Sequence, residues 1–561
     1  MDARDPIKEA FAAAMRLSRY QEIADTLARH GLGFLADAVG LKRWAPPAVR
    51  RSAGAARWQS HTVPERVRLA LEDLGPTFVK LGQLLSARPD LLPQSFIVEL
   101  SKLQDAGEVV PEEAILDILR HELGDEPEEV FARFDRTPLA SASIGQAHAA
   151  TLRDGTPVVV KVRRPDALRQ VHEDLEILEN LAETASRVWE PARTYNLRGI
   201  VQEFAQTLRA ELDYLREGRN AERFAANFAQ QANVHIPRVF WETTTTRVLT
   251  LERMTGIKIS DITALDAAGI DRKALAEAGA GIILQMIFED SFFHADLHPG
   301  NLFVHADGSV ALIDFGMVGE MSEELHNDLI QFLIAFTRRN PEALTAALLD
   351  LSVTKGHADL HELRDAMASF VSTYAGLPLS EIKFTHLLQE LLAIVRQQRL
   401  QLPREIALVF KVLITVEGIG TQLDPDFDLI GVLTPFVRRL IKQRLSAAAI
   451  ARRVAEASAD TGALLLELPS RLRRILETVD RGGIEVHLRA AELEPLVTRT
   501  ERIGNRLVAG LITAALINGV GEIVVSEKRW RSWEGGLMGA GVTVVTGLAS
   551  YLVWTTRRRR G

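Results

Sequence analysis

Apolar residues recur at helical spacing over most of the chain, and the period changes to that of strands in a few short regions. The helical pattern predicts helices within residues 64–103 and 111–122, and over about 166–230 and about 321–505. Residues 1–60 begin with a helical pattern, which the pair Pro46-Pro47 interrupts. The chain is therefore expected to be mostly helical.

Strand signals are concentrated in two predicted hairpins. Residues 146–152 and 157–162 flank the turn sequence Arg153-Asp154-Gly155, and residues 302–305 and 310–313 flank Asp307-Gly308. One further strand is predicted at residues 247–251. Helices, a small β-rich part and a second helical part thus follow one another, which predicts an α+β fold.

The end of the chain has a different pattern, with two long apolar runs. Residues 507–525 contain one ionisable residue, Glu522, and residues 537–554 contain no charged residue. A helix that crosses a bilayer needs about 20 mostly apolar residues. Arginines precede the first run and follow the second, so a hairpin would place both clusters on the cytoplasmic side. We expect a transmembrane hairpin at 507–554, and a buried helical hairpin of a soluble protein is the alternative.

The amino-acid composition limits which partners and which kinds of reactive site can be expected. Lys and Arg number 66 and Asp and Glu number 74, so the net charge is −8, which gives no electrostatic reason to expect nucleic acid as a partner. The chain contains no Cys, which excludes disulfides, thiolate metal sites and cysteine nucleophiles.

The strongest chemical signal is the segment His294-Ala295-Asp296-Leu297-His298-Pro299-Gly300-Asn301, followed by Asp314-Phe315-Gly316. Asp296 and Asn301 have the D-x-x-x-x-N spacing of a kinase catalytic loop, and Asp314 opens a D-F-G triplet. The predicted hairpin between them returns the chain, so Asp314 and Asn301 are expected to share Mg²⁺, which prefers oxygen ligands together with phosphate oxygens. The pattern predicts a Mg–ATP site.

An alternative use of the same segment is a metal cluster of His294, Asp296 and His298. Residues i and i+2 of an extended segment point the same way, so these three side chains would converge. The kinase-like interpretation accounts for Asn301 and Asp314 as well, and it gives His294 the role of supporting the loop backbone by hydrogen bonding.

A second signal is Lys161, a single cation in the β-branched run 158–162 directly after a hairpin turn. Kinases place a Lys on such a strand to reach the α- and β-phosphates, and pair it with a helical Glu. Glu217 is the candidate partner. Asp213 lies four residues before it, so the two are expected to share one helix face.

Two expected kinase features are missing. Where a G-x-G-x-x-G loop would stand, residues 138–146 include Ala140, Ser141, Ala142 and Ser143, and alanine lacks the backbone freedom of glycine. After Asp314-Phe315-Gly316 a helical pattern begins at Ser322, so no long activation segment and no A-P-E triplet follow. Their absence argues against a conventional protein substrate.

Taken together, these motifs resemble the UbiB family of atypical protein-kinase-like proteins over nearly the whole chain. Lys80-Leu81-Gly82-Gln83 resembles the family's K-x-G-Q motif, residues 140–143 its Ala-rich loop, and Glu211 with Asp213 its E-x-D motif. Lys161 and Glu217 resemble its nucleotide-binding Lys and helical Glu. The hydrophobic hairpin also resembles that of bacterial members.

The resemblance implies an atypical bilobal kinase-like fold with an N-terminal helical extension, a mostly helical second lobe and a two-helix membrane hairpin. It implies that Lys80, Gln83, Glu211 and Asp213 cover the cleft. Residues 140–143, Lys161 and Glu252 would contact ATP or ADP, Asn301 and Asp314 would bind Mg²⁺, and Asp296, Lys161 and Glu217 would be catalytic. It also implies ATPase behaviour that supports ubiquinone biosynthesis at a membrane.

On this basis the chain divides into a helical region (1–60), a K-x-G-Q extension (61–125), two kinase-like lobes (126–256 and 257–445), a linker (446–506) and a membrane hairpin (507–554). The expected location is the inner membrane with the catalytic part facing the cytoplasm. The expected partners are a membrane lipid or prenyl-quinone precursor and quinone-biosynthesis proteins, without nucleic acid.

Two other functions remain open from the sequence. The first is a small-molecule phosphotransferase of the aminoglycoside or choline kinase type, which carries a similar H-x-D-x-x-x-x-N loop but lacks the segment around Lys80. The second is a non-enzymatic scaffold for lipid binding that nucleotide switches between states.

Overall fold

The structure is a computed structural model that describes residues 6–38, 41, 61–103, 107–194, 196–353, 359–375 and 383–444. The chain divides into two units, Met1–Ala449 and Ile450–Gly561. The second unit, which holds the predicted membrane hairpin at 507–554 and nearly all of the linker at 446–506, lies outside the described residues.

Helices make up most of the described part of the chain. They are α1 (Pro6–Arg29), α2 (Gly33–Ala38), α3 (Val63–Leu74), α4 (Pro76–Ser86), α5 (Gln94–Leu100), α6 (Glu112–Leu123), α7 (Pro127–Val130), α8 (Ala167–Val188), α9 (Glu190–Thr194), α10 (Leu197–Glu211), α11 (Tyr214–Asn227), α12 (Ile262–Ala267), α13 (Arg272–Phe288), α14 (Glu323–Thr337), α15 (Pro341–Asp350), α16 (Leu360–Ala375), α17 (Phe384–Gln397), α18 (Arg404–Leu423) and α19 (Leu429–Arg444).

The described strands form three sheets. They are β1 (Phe131–Ser141), β2 (Gly145–Leu152), β3 (Pro157–Arg163), β4 (Val234–His235), β5 (Val248–Glu252), β6 (Ile257–Lys258), β7 (Phe292–His294), β8 (Leu302–Val304), β9 (Val310–Leu312) and β10 (Val318–Glu320). The antiparallel order β1-β2-β3-β5 makes the first sheet, β4-β9-β8-β6 the second and β10-β7 the third. Both predicted hairpins are present, as β2–β3 and β8–β9.

The side chains of β3 alternate between a buried apolar face and a face that carries Lys161. Val158, Val160 and Val162 are fully buried and pack in one cluster with Ile115 and Leu119 of α6. Because side chains alternate between the faces of a strand, Lys161 lies on the opposite face. The apolar residues therefore fasten the sheet to α6, and that packing holds the lysine on the side away from α6.

Strand β1 was not among the strands predicted from the sequence. Ala140 and Ser141 pair with Ala147 and Gln146 of β2, so they belong to the strand rather than to a loop. The turn between the strands is therefore restricted to residues 142–144. Most of β1 is exposed, as expected for an edge strand, and for that reason it carries no clear alternation of apolar and polar residues.

The helical segment with the K-x-G-Q motif is held by close packing around two glycines. Gly75 has φ of +93°, a backbone conformation that glycine adopts without strain, and it joins α3 to α4 immediately before Pro76. A Cβ at Gly82 would lie 2.9 Å from Cδ1 of Leu71 and in collision with Leu103. These contacts leave no room for a larger residue at position 82.

The main core is built by α11 and the helices from α13 onward, together with the second and third sheets. Within the described residues, one helix, α18, is long and apolar enough to cross a membrane, with a mean hydropathy of 1.6. More than half of its apolar stretch is buried, and residues such as Ile406, Val409 and Leu413 join the main core cluster or lie almost fully enclosed. Helix α18 therefore serves as a core helix.

Candidate active site

Lys161 lies at the centre of the candidate site, between two carboxylates. Its Nζ is 2.5 Å from Oε1 of Glu217 and 3.2 Å from Oδ1 of Asp314. Glu217 comes from α11, whereas Asp314 follows β9, so three separate elements meet at this ammonium group. The side chain of Glu217 is almost fully buried, whereas about half of Asp314 is exposed.

Opposite charges at short distance shift the pKa values of this group. Burial opposes charge on Lys161, yet the carboxylates of Asp314 and Glu217 hold its pKa above the ordinary value. The positive charge of Lys161 is the main reason that the pKa of Asp314 lies well below its usual range. Lys161 and Asp314 are therefore both charged at neutral pH.

Helix α11, which carries Glu217, begins at Tyr214, inside the region of about 166–230 that the sequence predicted to be helical. Asp213 is the N-cap, and its side chain accepts a hydrogen bond of 3.1 Å from the backbone N–H of Leu215. Glu211 ends the preceding helix α10. The expectation that Asp213 and Glu217 share one helix face is therefore wrong, because an N-cap aspartate bends back to its own helix terminus.

Aromatic packing ties α11 to the D-F-G segment. The ring of Phe224 lies 5.3 Å from that of Phe315 and 4.7 Å from that of Phe292. The Nδ2 of Asn220 also donates to the backbone oxygen of Phe315 at 2.9 Å. A shift of α11 would therefore move Phe315 and, with it, Asp314.

His294 supports the catalytic-loop backbone with both ring nitrogens. The backbone N–H of Asp296 donates to Nδ1 at 3.2 Å, and Nε2 lies 3.2 Å from the backbone oxygen of Ile313. This pattern requires a neutral ring with its hydrogen on Nε2. Burial lowers the pKa of His294, which favours that neutral form. His294 thus links the segment before Asp296 to the segment before Asp314.

The alternative metal cluster has no support in this geometry. His294 uses both nitrogens for backbone contacts, and Nδ1 of His298 accepts from the backbone N–H of Gly300 at 3.0 Å. Within the ranges that the structure describes, no group of three or more His, Asp and Glu side chains is placed to hold a metal ion.

Asn301 and Asp314 offer oxygen atoms on neighbouring segments. The Nδ2 of Asn301 donates to the backbone oxygen of Asp296 at 3.0 Å, so its Oδ1 is the atom left for a ligand. The backbone oxygen of Asn301 accepts from the N–H of Ile313, the residue before Asp314, at 3.0 Å. Hard oxygen donors of this kind fit Mg²⁺.

The backbone of Asp314 is in the left-handed region, with φ of +64°. A non-glycine residue there is uncommon, and such outliers are concentrated at functional sites. Contacts with Lys161 and with the N–H of Gly316 surround the Asp314 carboxylate, at 3.2 and 3.4 Å. The local fold therefore maintains this orientation despite its conformational cost.

The four residues expected to cover the cleft divide into two groups. Lys80 of α4 lies 3.3 Å from a carboxylate oxygen of Glu211, so the structure brings these two together. Gln83 instead donates to the backbone oxygen of Leu103 at 3.2 Å, and Asp213 contacts its own helix. Of these four residues, Lys80 and Glu211 are the two that pair directly between α4 and α10.

The turn after β1 is held from outside the sheet. The Nε of Arg164 donates to the backbone oxygen of Ala142 at 2.8 Å, and the Oγ of Ser141 lies 3.0 Å from the backbone oxygen of Glu108. Ser143 is nearly fully buried. The turn is thus fixed by side-chain contacts instead of by glycine.

Glu252 is not placed as a side-chain ligand. Lys161 pairs with Leu249 across the β3–β5 ladder, so these two side chains lie on the same face of the sheet. Glu252 lies three residues after Leu249 on the same strand, and side chains alternate between the two faces. Its side chain therefore belongs to the other face of the sheet, where Oε2 accepts from the N–H of Arg238 at 3.2 Å. Glu252 therefore presents no side-chain group on the Lys161 face of the sheet.

Two residues near the site were missed by the sequence analysis. Lys411 of α18 lies 3.2 Å from Oδ1 of Asp296, across 115 residues of sequence. Tyr214 is buried beside Lys161, and burial raises the pKa of its hydroxyl. A lysine inside the apolar run 406–416 was the available signal for Lys411, whereas Tyr214 had none.

Models of two protein-family domains match this chain. The model of the ABC1 atypical kinase-like domain matches residues 102–348, and that of the UbiB helical domain matches residues 367–428. An uncharacterized protein of Synechocystis sp. is 38% identical over 459 residues, which cover 80% of this chain and 78% of that protein.

Two further relatives carry the name probable protein kinase UbiB. The protein of Xylella fastidiosa is 38% identical over 439 residues, covering 77% of this chain and 79% of its own length. That of Xanthomonas campestris pv. campestris is 34% identical over 553 residues, covering 94% of this chain and 99% of its own length.

Proposed function

The chain belongs to the UbiB family of atypical kinase-like proteins, and from that premise we propose that it is a membrane-anchored, Mg–ATP-binding kinase or ATPase that supports ubiquinone or related prenyl-lipid metabolism. Membership confirms the kinase-like α+β fold with a helical majority that the sequence predicted. The nucleotide, the metal, the acceptor and the anchor belong to the proposal.

The observation that carries the proposal is the convergence of Lys161, Glu217 and Asp314 beside the Asp296–Asn301 loop. Phosphoryl transfer requires mainly positioning and charge stabilisation, and kinases use this set of groups for it. In the proposed roles, Lys161 binds the α- and β-phosphates and Glu217 orients Lys161. Asp296 orients the acceptor, which is water or a hydroxyl group.

Asn301 and Asp314 would hold Mg²⁺. When bound, the metal neutralises charge that develops on the β- and γ-phosphate oxygens. The charged state of Asp314 at neutral pH, maintained by Lys161, suits a cation ligand. Residues 126–256 and 257–445 would form the two lobes around this site, and the turn at Ala142 and Ser143 would cover the phosphates.

The proposed acceptor is small or membrane-borne rather than a protein. Helix α4, linked to α10 through Lys80 and Glu211, belongs to the extension that would cover the cleft. The segment between Gly316 and α14 is short, so it offers no peptide-docking platform of the kind that protein kinases carry.

The membrane anchor and the partners rest on the sequence and the family. Residues 507–554 would form a two-helix hairpin in the inner membrane, with the catalytic part on the cytoplasmic side. A membrane lipid or prenyl-quinone precursor and quinone-biosynthesis proteins would be the partners. This arrangement would bring the site close to prenylated lipids.

The first test is Mg-dependent nucleotide binding, measured by thermal shift. The wild type is expected to gain stability with Mg–ATP, and Asp314→Asn is expected to lose that gain because its carboxylate is removed from the metal site. Asp117→Asn, an exposed position on α6, serves as the matched control and should respond like the wild type. An equal shift for Asp314→Asn and the wild type would contradict the metal assignment.

The second test concerns the cellular role. Deletion of the gene followed by profiling of isoprenoid quinones is expected to show a loss that the wild-type gene restores and Asp296→Asn does not. Restoration by Asp296→Asn would favour the nucleotide-switched scaffold. Stoichiometric phosphate transfer to a soluble alcohol by the purified protein would favour the small-molecule phosphotransferase.

A further inference from the structure

The catalytic-loop segment lacks a cation. Residues 294–301 contain no Lys and no Arg, and His298 turns its Nδ1 back to the N–H of Gly300. In phosphoryl transfer, negative charge spreads over the three outer oxygens of the transferred group, and cations placed there lower the barrier. Lys161 is already engaged with the carboxylates of Glu217 and Asp314. A protein cation that acts on the terminal phosphate beside the proposed Mg²⁺ would therefore come from outside this segment.

Lys411 is placed to be that cation. Its Nζ lies 3.2 Å from Oδ1 of Asp296, the residue expected to orient the phosphoryl acceptor. Both side chains are partly exposed, at 26% and 37%, so the pair faces open space rather than the core. A group that is already next to the acceptor-orienting carboxylate is also next to the position where the terminal phosphate would react.

The surroundings of Lys411 keep it in place. Its neighbours Val409, Phe410, Val412 and Leu413 are buried, and α18 packs against α13 in the main core. A rigid helix also holds a functional side chain more accurately than a loop does.

We propose that Lys411 binds the terminal phosphate of the nucleotide and stabilises it during transfer. The inference rests on the proposed Mg–ATP function and deepens it, because it assigns a catalytic residue to the helical part that follows the kinase-like domain. In the reaction, the bond between the β–γ bridging oxygen and the γ-phosphorus breaks, and one from the acceptor oxygen to the γ-phosphorus forms. Asp296 receives the acceptor proton, ADP leaves, and Lys411 remains protonated throughout.

The test compares ATP with ADP in the same variant. Mg–ATP and Mg–ADP affinities and single-turnover hydrolysis are measured for the full-length wild type, Lys411→Met and Lys411→Arg. Lys258→Met, at an exposed position of β6, is the control. Lys411→Met is expected to bind ATP about tenfold more weakly with little change for ADP, and to hydrolyse ATP about 100-fold more slowly. Lys411→Arg should recover most of the ATP affinity.

The comparison separates a catalytic cation from a structural one. General destabilisation would weaken ATP and ADP binding alike, so an unchanged ratio of the two affinities in Lys411→Met would overturn the proposal. A normal hydrolysis rate in that variant would do the same. Absence of nucleotide binding by the wild type would refute the Mg–ATP function itself, and the role of Lys411 with it. If the wild type binds Mg–ATP but Lys411→Met keeps the same ratio of ATP and ADP affinities or a normal hydrolysis rate, only the role of Lys411 is refuted.

Discussion

Replacement of Arg88 by alanine should strongly destabilise the protein, because this one side chain joins three distant segments. Arg88 follows α4 and binds Asp90 through two hydrogen bonds of 2.9 and 2.8 Å. It also lies 3.3 Å from Oε2 of Glu203 on α10, and donates to the backbone oxygen of Leu402 before α18 at 3.3 Å. Arg88 is 5% exposed and Asp90 is fully buried.

The burial of Arg88 and Asp90 determines how much stability Arg88→Ala should lose. Removing one partner of a buried ion pair leaves an uncompensated charge, and this typically costs about 3–5 kcal/mol. An exposed pair contributes far less, and Arg187→Ala, which removes the exposed pair with Glu183, should cost about 0.5 kcal/mol at most. Adding Asp90→Ala to Arg88→Ala removes the unpaired carboxylate and should restore part of the loss.

Hydrogen exchange is the suitable assay, because a chain of this size is not expected to unfold in one step. Exchange of α3, α4 and α5 in Arg88→Ala should accelerate more than exchange of α13, since the lost contacts hold the K-x-G-Q segment to its neighbours. The same exchange rates give the local opening free energy of α4 in each variant. An opening free energy of α4 in Arg88→Ala within about 1 kcal/mol of that in Arg187→Ala would refute the reasoning.

Further outcomes follow from the same structure. Burial lowers the pKa of His148 below the ordinary histidine value near 6.5. The contribution of His148 to stability is therefore complete above pH 6.5 and is lost as the pH falls below it, by at most about 1.4 kcal/mol per pH unit. His148→Gln should lose less melting temperature on acidification than the wild type, and an equal loss would contradict this. Gly279→Ala in α13 has open space for a methyl group and should stabilise by about 0.5–1 kcal/mol in urea titrations. Gly420→Ala in α18 should destabilise by about 1–3 kcal/mol, because its Cβ would collide with the ring of Phe427, and equal stabilities for the two alanine variants would refute the packing argument.

Short-range patterns allowed much of the site to be predicted. The run 158–162 is β-branched except for a single lysine, and the sheet places Val158, Val160 and Val162 in one buried cluster with Lys161 on the opposite face. The hairpin between Asn301 and Asp314 was visible from turn residues, and the structure places those two segments in contact. Both inferences used only the geometry of neighbouring residues.

Other features depend on contacts that a local pattern does not contain. The helix break at Asp213 arises from an N-cap, and the same residues are also compatible with a continuous helix. Lys411 reaches Asp296 through the packing of α18 on α13, which is a tertiary arrangement. Edge strand β1 has little alternation because most of it faces solvent. Long-range packing and solvent exposure therefore set the limits of prediction.

The left-handed backbone of Asp314 also affects how variants of this protein should be scored. A non-glycine residue in that conformation typically costs of order 1–3 kcal/mol, and glycine relieves that cost. Asp314→Gly would thus remove the proposed metal ligand while removing conformational strain, so the loss of function need not reduce cellular abundance. A screen that reports only expression level or solubility would rate such a substitution as harmless. For this position, abundance and activity have to be scored separately.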